Sequence, residues 1–208
     1  MTAFFLTAIC SYLVGSVPFG YLLVRLVRGQ DIRDSGSGNI GATNVARSSP
    51  GLGLLTLLLD AGKGMLAVFL ALLIHSRWAE SRADESLLLC VAALFAILGH
   101  MFPAWLNFRG GKGVATALGS FVLIAPRAVL VSAVIFVVIV AVFRYVSLAS
   151  IIAVALFPLL VWRINAHAIA PGAIAVMGGA SVLIVARHHE NIRRLLAGTE
   201  SRFRWRRG

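Results

Sequence analysis

Carboxylates and cysteines are scarce in this chain of 208 residues. It has 8 Asp and Glu residues against 19 Lys and Arg residues, which gives a formal net charge of +11. Its two cysteines, Cys10 and Cys90, stand alone in apolar runs, so their spacing predicts neither a redox motif nor a zinc site. No basic segment precedes the first apolar run. We therefore interpret that run as a retained helix and not as a cleaved signal peptide.

Several common catalytic motifs are also absent. Lys63 and Lys112 each have a leucine where a P-loop needs its first glycine, which excludes that nucleotide-binding loop. The sequence has no His-Glu-x-x-His pair, no EF-hand loop and no Gly-x-Ser-x-Gly elbow. The adjacent His188 and His189 do not have the spacing of a metal site. None of the five histidines has Asp five residues later, which excludes the His-x4-Asp signature of the common glycerolipid acyltransferases that use coenzyme A or acyl carrier protein. We expect no metal and no cofactor.

Long apolar runs dominate what is present. Hydrophobic residues make up 59% of the chain and charged residues 13%, and the mean hydropathy is +0.90. Because a transmembrane helix needs about 20 mostly apolar residues, we predict one all-α, polytopic membrane domain over residues 1–208. Pro18 and Gly20 interrupt its first span. The seven predicted spans lie at about 2–27, 51–74, 87–107, 114–124, 128–143, 146–162 and 168–186, with turns at 76–86, 126–127, 144–145 and 163–167.

The distribution of cations predicts the orientation of these spans. Fourteen fall in the loops after spans one, three and five or in the tail, namely Arg25, Arg28, Arg33, Arg47, Arg109, Lys112, Arg144, Arg187, Arg193, Arg194, Arg202, Arg204, Arg206 and Arg207. Four fall on the other side, namely Arg77, Arg82, Arg127 and Arg163. Since cytoplasmic loops carry the excess of Lys and Arg, the N-terminus is predicted outside and the C-terminus in the cytoplasm. The charge then suits anionic lipid or phosphate ligands, and we expect no nucleic acid partner.

Three polar stretches fall on the predicted cytoplasmic face. In the first, residues 28–50, small polar residues and glycines indicate a structured loop folded on a ligand. In the second, residues 99–116, three glycines and two cations follow one another from Arg109 to Gly113. Such glycines allow backbone amides to approach a ligand, and the cations suit a phosphate. Taken alone, this stretch fits a plain turn with positive-inside charges equally well.

The third polar stretch begins the tail at Arg187. On a helix, His188 and Asn191 share a face and could orient a hydroxyl or a phosphate. By themselves they also fit juxtamembrane residues beside arginines that bind anionic lipid. Because all three stretches, with Ser147 and Ser150, are predicted on one face, we expect them to form one shared site.

Two ionisable residues, Asp60 and Lys63, lie within the second span. They are three residues apart, so they share a helix face and can pair. Ionisable groups within a span usually face a cavity or the interior of the bundle. A functional cavity and a buried structural ion pair are both consistent with this pattern.

Three stretches together resemble the bacterial acyl-phosphate:glycerol-3-phosphate acyltransferases of the PlsY type. Ser37 to Arg47 reads Ser-Gly-Asn-Ile-Gly-Ala-Thr-Asn-Val-Ala-Arg. Gly99 to Thr116 contains Gly-His, Phe-Pro and Gly-Gly-Lys-Gly-Val-Ala-Thr. His188 to Glu200 contains His-x-x-Asn-Ile-x-Arg-Leu with the later Gly and Glu. Asp60-x-x-Lys63-Gly64 and Ser147-Leu148-x-Ser150 also look like family positions. Arg109 departs from the family pattern, since many members have Lys there.

The resemblance implies a seven-helix bundle of the bacterial inner membrane with its site on the cytoplasmic face. It implies transfer of a fatty acyl group from acyl phosphate to the 1-hydroxyl of glycerol 3-phosphate, giving lysophosphatidic acid and phosphate. The implied partners are these two substrates and membrane lipids, with the upstream acyl-phosphate-forming enzyme as a further candidate. Catalytic roles are implied for Ser37, Arg47, Lys112, His188 and Asn191. Substrate-binding roles are implied for Asn39, Gly41, Asn44, Gly110, Gly111, Gly113, Ser150 and Glu200.

The detailed roles follow from this chemistry as a hypothesis. Lys112 and the amides of residues 110–113 hold one phosphate. Arg47, Ser37 and Asn39 hold the other or polarise the acyl carbonyl, while His188, Asn191 and Ser150 orient glycerol 3-phosphate. The base is either His188 or the phosphate of glycerol 3-phosphate itself. The main alternative is an organic-phosphate transporter, but the sequence shows no internal repeat and an odd number of spans. A structural membrane scaffold would leave the three motif stretches unexplained.

Overall fold

The computed structural model describes residues 1–78, 82–165 and 169–203. Within these ranges all regular elements are helical, which confirms the all-α class. The α-helices are α1 (Thr2–Gly15), α2 (Phe19–Arg28), α3 (Ala42–Ser48), α4 (Pro50–Trp78), α5 (Arg82–Met101), α6 (Val114–Ile124), α7 (Pro126–Phe143), α8 (Val146–Asn165), α9 (Pro171–Ala186) and α10 (His189–Leu196). Parts of the predicted turns at 76–86 and 163–167, and the tail arginines Arg204, Arg206 and Arg207, lie outside the described residues.

Among the described residues, fewer than seven segments have the length and composition of a membrane span. The described helices include five segments that are long and apolar enough to cross a membrane, or six if α9 and α10, bent by 55°, count as one span. The predicted fourth span, α6, has 11 residues and rises about 16 Å. That is well short of a hydrocarbon core of about 30 Å. The seven-span count and the orientation therefore stay predictions.

Proline accounts for most of the differences at helix boundaries. Pro18 separates α1 from α2, as predicted. Pro126 does not form the expected turn but begins α7, because its fixed φ and missing N–H suit the first helical position. The third predicted span was expected to reach Asn107, but α5 ends at Met101. Pro103 follows shortly after that end, where the chain cannot continue as a regular helix.

The chain divides into two compact units, residues 1–124 and 125–208. In the first unit α1 packs against α4 and α5, and α4 packs against α5 and α6. Glycine permits the close approach of α4 and α6. A Cβ at Gly64 would collide with the Thr116 carbonyl, and one at Gly119 would collide with the Ala61 carbonyl. Small residues of this kind are what allow helix backbones to approach in membranes.

A small hydrophobic cluster in the first unit brings the first two polar stretches together. Its buried members are Val24, Ile32, Ile40, Val45 and Leu106. They come from α2, from the segment between α2 and α3, from α3 itself and from the 3-10 turn Ala104–Leu106. The seven-residue helix α3 was not predicted, since the segment has no apolar period. The cluster confirms that residues 28–50 and 99–116 are neighbours.

In the second unit α8 packs against α7 and α9, and α10 contacts α8. The chain after α10 is held against the connection between α7 and α8. The amide of Phe203 donates to the carbonyl of Arg144 at 2.6 Å, and Arg144 Nε donates back to the Phe203 carbonyl at 3.2 Å. Arg202 Nε donates to the hydroxyl of Tyr145 at 3.0 Å. This part of the basic tail is therefore ordered structure and not a free extension.

The contact between α4 and α6 gives a first prediction. Gly64→Ala should lower the free energy of unfolding by about 1–3 kcal/mol, because the new methyl group forces the two helices apart. Gly62→Ala is the matched control in the same helix, since no atom lies within 4 Å of its Cβ position. Thermal unfolding in detergent micelles measures both. Equal midpoints for the two variants would show that the close contact does not matter.

Candidate functional site

Asn44 organises the loop that precedes α3. Its side-chain oxygen accepts from the amide of Ser37 at 2.8 Å. Its side-chain nitrogen donates to the carbonyls of Ser35 at 3.0 Å, Asn39 at 2.8 Å and Ile32 at 3.3 Å. The side chain is buried, so these bonds satisfy polar groups that would otherwise be costly. Asn44 thus shapes the loop that carries the proposed catalytic residues.

The other predicted residues of this loop lie around the Asn44 side chain. The side-chain oxygen of Asn39 accepts from the amide of Gly41 at 2.8 Å. Gly36 has a positive φ of 60° and lies directly against the Asn44 amide oxygen, where a side chain would collide. Ser37 is half-buried, and Arg47 is exposed in the last turn of α3. The loop and α3 therefore present the Ser37 hydroxyl and the Arg47 guanidinium on a backbone that internal hydrogen bonds hold in place.

The glycines of the second stretch serve a different purpose from the predicted one. The amide of Gly110 donates to the Met101 carbonyl at 3.1 Å, and that of Gly111 donates to the His100 carbonyl at 3.0 Å. A Cβ at Gly111 would collide with the His100 ring. These two amides therefore donate to carbonyls at the end of α5. The glycines are needed so that the loop can lie against α5.

The start of α6 is better suited to an anion than these two glycines are. Gly113, with a positive φ of 86°, immediately precedes α6, and its carbonyl accepts the first helical bond, from Ala117, at 2.8 Å. The first amides of a helix have no intrahelical acceptor, and the helix dipole is positive there. Lys112, which is half-buried, stands directly before this helix end. Lys112 and the N-terminus of α6 together form an electropositive position.

In the second unit His188 lies at the junction of α9 and α10. It is buried, and its Nδ1 is 2.7 Å from the carbonyl oxygen of Ile184. A carbonyl can only accept, so the neutral ring carries its proton on Nδ1 and its lone pair on Nε2. This tautomer has the form that a general base or a hydroxyl-orienting group requires. His188 precedes α10 as its N-cap residue, and Asn191 is buried in its first turn.

Glu200 is the centre of a second group of hydrogen bonds. Its Oε1 accepts from the Ser147 hydroxyl at 2.6 Å and from the Asn191 amide at 2.7 Å, and its Oε2 accepts from Arg194 Nε at 2.7 Å. Burial by itself raises the pKa of this carboxyl. The hydrogen bonds from Ser147, Arg194 and Asn191 outweigh that effect and leave the pKa below its ordinary value of 4.5.

The contacts of Glu200 also have a structural effect. Together they attach α10 and the segment after it to α8, and the substrate-binding role of Glu200 stays a prediction. The sequence predicted Ser147 at the shared site, but it assigned no individual role to Ser147 or to Arg194. Ser150, which was predicted, donates its hydroxyl to the Val146 carbonyl at 2.9 Å.

The described part of the chain has no obvious metal-binding site. No group of three or more His, Cys, Asp or Glu residues there could hold a metal ion. Each unit instead presents hydroxyls, amides and cations. Such groups position and neutralise phosphates and do not supply strong nucleophiles.

Comparison with known proteins identifies the family. A family model described as glycerol-3-phosphate acyltransferase matches residues 5–198. The chain belongs to the glycerol-3-phosphate acyltransferase family. The proteins of this name from Syntrophotalea carbinolica and Rhodospirillum rubrum support this assignment. The first is 44% identical over 205 residues, covering 98% of this chain and 100% of that protein. The second is 46% identical over 198 residues, covering 94% and 88%.

Two solved structures also support this family assignment. The crystal structure of PlsY (YgiH), an integral membrane glycerol 3-phosphate acyltransferase, in its glycerol 3-phosphate form has a TM-score of 0.86 and 37% identity to this chain. The similarity covers 98% of this chain and 96% of that chain. The lysphosphatidic acid form has a TM-score of 0.82 and 36% identity. The resemblance to the PlsY type is thus confirmed, and the chain is an integral membrane acyltransferase. The transporter alternative is set aside.

The hydrogen bonds of Glu200 give the next prediction for this acyltransferase. Glu200→Gln should lower its free energy of unfolding at pH 7 by about 1.5–3 kcal/mol, since hydrogen bonds to a charged group are weakened. Because the folded-state pKa lies below 4.5, the carboxylate stabilises the protein above that pH. This stabilisation is lost as the pH falls through the folded-state pKa.

The difference in free energy of unfolding between wild type and Glu200→Gln should therefore narrow as the pH falls below 4.5, as measured by thermal unfolding from pH 7 to about pH 2.5. Glu190→Gln is the control, because Glu190 is largely exposed and lies 4.0 Å from the same Arg194. A difference that stayed constant with pH would contradict a stabilising charge on Glu200.

Proposed function

We propose that this protein transfers a fatty acyl group from acyl phosphate to the 1-hydroxyl of sn-glycerol 3-phosphate. The products are lysophosphatidic acid and inorganic phosphate, so the reaction is the first acylation of phospholipid synthesis. The acceptor and the product are supported by the family and by the ligand states of the similar PlsY structures. The donor is supported by the chemistry of the residues.

The state of the buried carboxylates is the observation that favours acyl phosphate. Among the described residues the buried carboxylates are Asp60 and Glu200. Asp60 pairs with Lys63, and Glu200 accepts from three donors. Neither is available as a nucleophile or a base. Acyl phosphate already carries a good leaving group, so positioning and charge stabilisation can supply much of the catalysis.

In the first unit the proposed roles centre on charge. Lys112 and the N-terminus of α6 hold one phosphate, and the amides of Gly110 and Gly111 take no part. Arg47 and Ser37 hold the other phosphate or polarise the acyl carbonyl, with Asn39 and Asn44 shaping their loop. Gly113, with its positive φ, allows the chain to turn before α6, and the amide of Gly41 holds the Asn39 side chain. Each donor or cation placed where negative charge develops stabilises the transition state.

In the second unit the proposed roles concern the acceptor. His188, Asn191 and Ser150 orient glycerol 3-phosphate, while Glu200 holds Asn191. The 1-hydroxyl oxygen attacks the acyl carbonyl carbon, and the bond between that carbon and the phosphate oxygen breaks. The hydroxyl proton passes to His188 Nε2 or to the phosphate of glycerol 3-phosphate, and the leaving phosphate departs with the bonding electrons. Both bases agree with the tautomer of His188.

The cellular setting is part of the same proposal. The cation distribution supports seven spans with the N-terminus outside and the C-terminus in the cytoplasm of a bacterial inner membrane. α6 is then a short span or a partly inserted helix. Both motif stretches of the first unit belong to the cytoplasmic side. There a soluble enzyme that forms acyl phosphate could deliver the donor.

A donor assay tests this proposal. The purified protein should convert palmitoyl phosphate and glycerol 3-phosphate to lysophosphatidic acid and phosphate without coenzyme A. Mass spectrometry of the lipid and release of phosphate measure the two products. Product from palmitoyl-CoA and none from palmitoyl phosphate would refute the donor assignment while leaving the acyltransferase family intact.

Two variants test the proposed cations. Lys112→Ala and Arg47→Ala should each lower kcat/KM by about 100-fold, since each removes a charge that stabilises a phosphate or a developing oxyanion. Arg28→Ala is the control, because Arg28 is an exposed cation at the end of α2 that has no assigned role. Rates near wild type for both site variants would remove them from the mechanism, and an equal loss for Arg28→Ala would indicate a general effect of charge.

A further inference from the structure

A buried ionic network in the first unit has no role in the reaction as described so far. It consists of Asp60 and Lys63 in α4 and His100 near the end of α5. Asp60 Oδ1 is 2.9 Å from Lys63 Nζ and 3.5 Å from His100 Nδ1. The three side chains are 2%, 2% and 4% exposed. Buried ion pairs often contribute little net stability compared with apolar side chains of similar size. Stability alone is therefore a weak reason for this network.

His100 connects the network to the second polar stretch, residues 99–116. The carbonyl of His100 accepts from the Gly111 amide, and the His100 ring fills the space where a Gly111 side chain would lie. The neighbouring Met101 carbonyl accepts from the Gly110 amide. Asp60, which lies beside Nδ1 of the ring, therefore influences the surface on which Gly111 rests. Lys112 is the next residue along the chain.

Lys63 connects the network to the first polar stretch, residues 28–50. Lys63 Nζ donates to the Val17 carbonyl at 2.7 Å, in the break between α1 and α2. The ammonium group also lies 5.7 Å from the centre of the Phe19 ring, in the first turn of α2. One residue later, Gly20 lies directly against the Ile40 carbonyl. Lys63 thus fixes the start of α2, and α2 supports the loop that carries Ser37 and Asn39.

We propose that Asp60, Lys63 and His100 are positioning residues that set the two motif loops of the first unit relative to each other. Asp60 is the common member, since it contacts both Lys63 and His100. A substitution that removes its charge misplaces Lys112 and the Ser37 loop without touching either. This inference rests on the proposed function, because it takes those loops to bind the substrates.

The same two helices contain a natural control. His75 Nε2 in α4 lies 3.5 Å from Glu85 Oε2 in α5. This carboxylate–histidine pair also connects α4 with α5, but it lies near the C-terminus of α4 and the N-terminus of α5. Residues 99–116 follow the opposite end of α5. Loss of the Glu85 charge therefore tests the effect of a helix-connecting pair without the link to the loops.

The experiment compares three variants. Asp60→Asn removes one charge, Asp60→Asn combined with Lys63→Met removes both, and Glu85→Gln serves as the control. For each, thermal unfolding gives stability, and lysophosphatidic acid formation gives kcat and the KM for glycerol 3-phosphate. We expect Asp60→Asn to lower both stability and kcat/KM, the latter by about 100-fold, since small misplacements have effects of that size.

The double variant separates positioning from stability. With both charges removed, stability should return towards wild type, while kcat/KM stays about 100-fold low because the contacts to His100 and Val17 are still missing. Glu85→Gln should retain wild-type kcat/KM. Recovery of activity together with stability in the double variant, or an equal loss in Glu85→Gln, would overturn the proposal. Failure of both Asp60 variants to accumulate would assign the network to folding and would also overturn it.

A binding measurement keeps this test separate from the donor assignment. If wild type does not use palmitoyl phosphate, the proposed donor is wrong but the positioning role can still be measured. Glycerol 3-phosphate should then raise the unfolding midpoint of wild type and of Glu85→Gln, but not that of the double variant. An equal rise in all three would overturn the positioning role.

Discussion

Burying a carboxylate costs several kcal/mol unless donors surround it. The described chain buries two, and each lies in a different unit. Asp60 is held by Lys63 and lies beside His100 in the first unit. Glu200 is held by Ser147, Asn191 and Arg194 in the second. Because a buried charge must keep its partners, each carboxylate fixes the relative positions of the helices that carry those partners. Much of the polar architecture depends on these two groups.

Hydrogen bonds from side chains to the backbone stabilise the loop before α3. Asn44 satisfies four backbone groups of its loop, and Asn39 satisfies a fifth. A loop near a membrane cannot rely on water for all its backbone groups, so internal partners are needed. A motif residue such as Asn44 therefore shapes the backbone of its own loop.

The glycine-rich stretch shows how one pattern supports two physical explanations. Glycines can expose amides to a ligand, or they can let two segments approach closely. Gly110 and Gly111 do the second, since their amides bond to the end of α5 and Gly111 lies against the His100 ring. The favourable position for an anion lies instead at Lys112 and the start of α6. The proposed anion position therefore keeps Lys112 and Gly113 of the original prediction and leaves out the amides of Gly110 and Gly111.

The sequence alone was sufficient for the helical class, for most helix positions and for the family. Apolar runs and prolines are local features, and the three motif stretches are specific in combination. The sequence also correctly predicted the pairing of Asp60 with Lys63, because residues three apart on a helix share a face. The helix α3 was missed, since its stability comes from the cluster around Val45 and Ile40 and not from a periodic pattern.

Only the tertiary structure decided which polar groups are already occupied. Ser147 is distant in sequence from Glu200, as His100 is from Asp60, so no spacing rule could show that these side chains meet. Hydrogen-bond partners depend on how helices pack, and packing is a property of the whole unit. The sequence therefore determined the kind of chemistry, while the fold determined which residues remain to perform it.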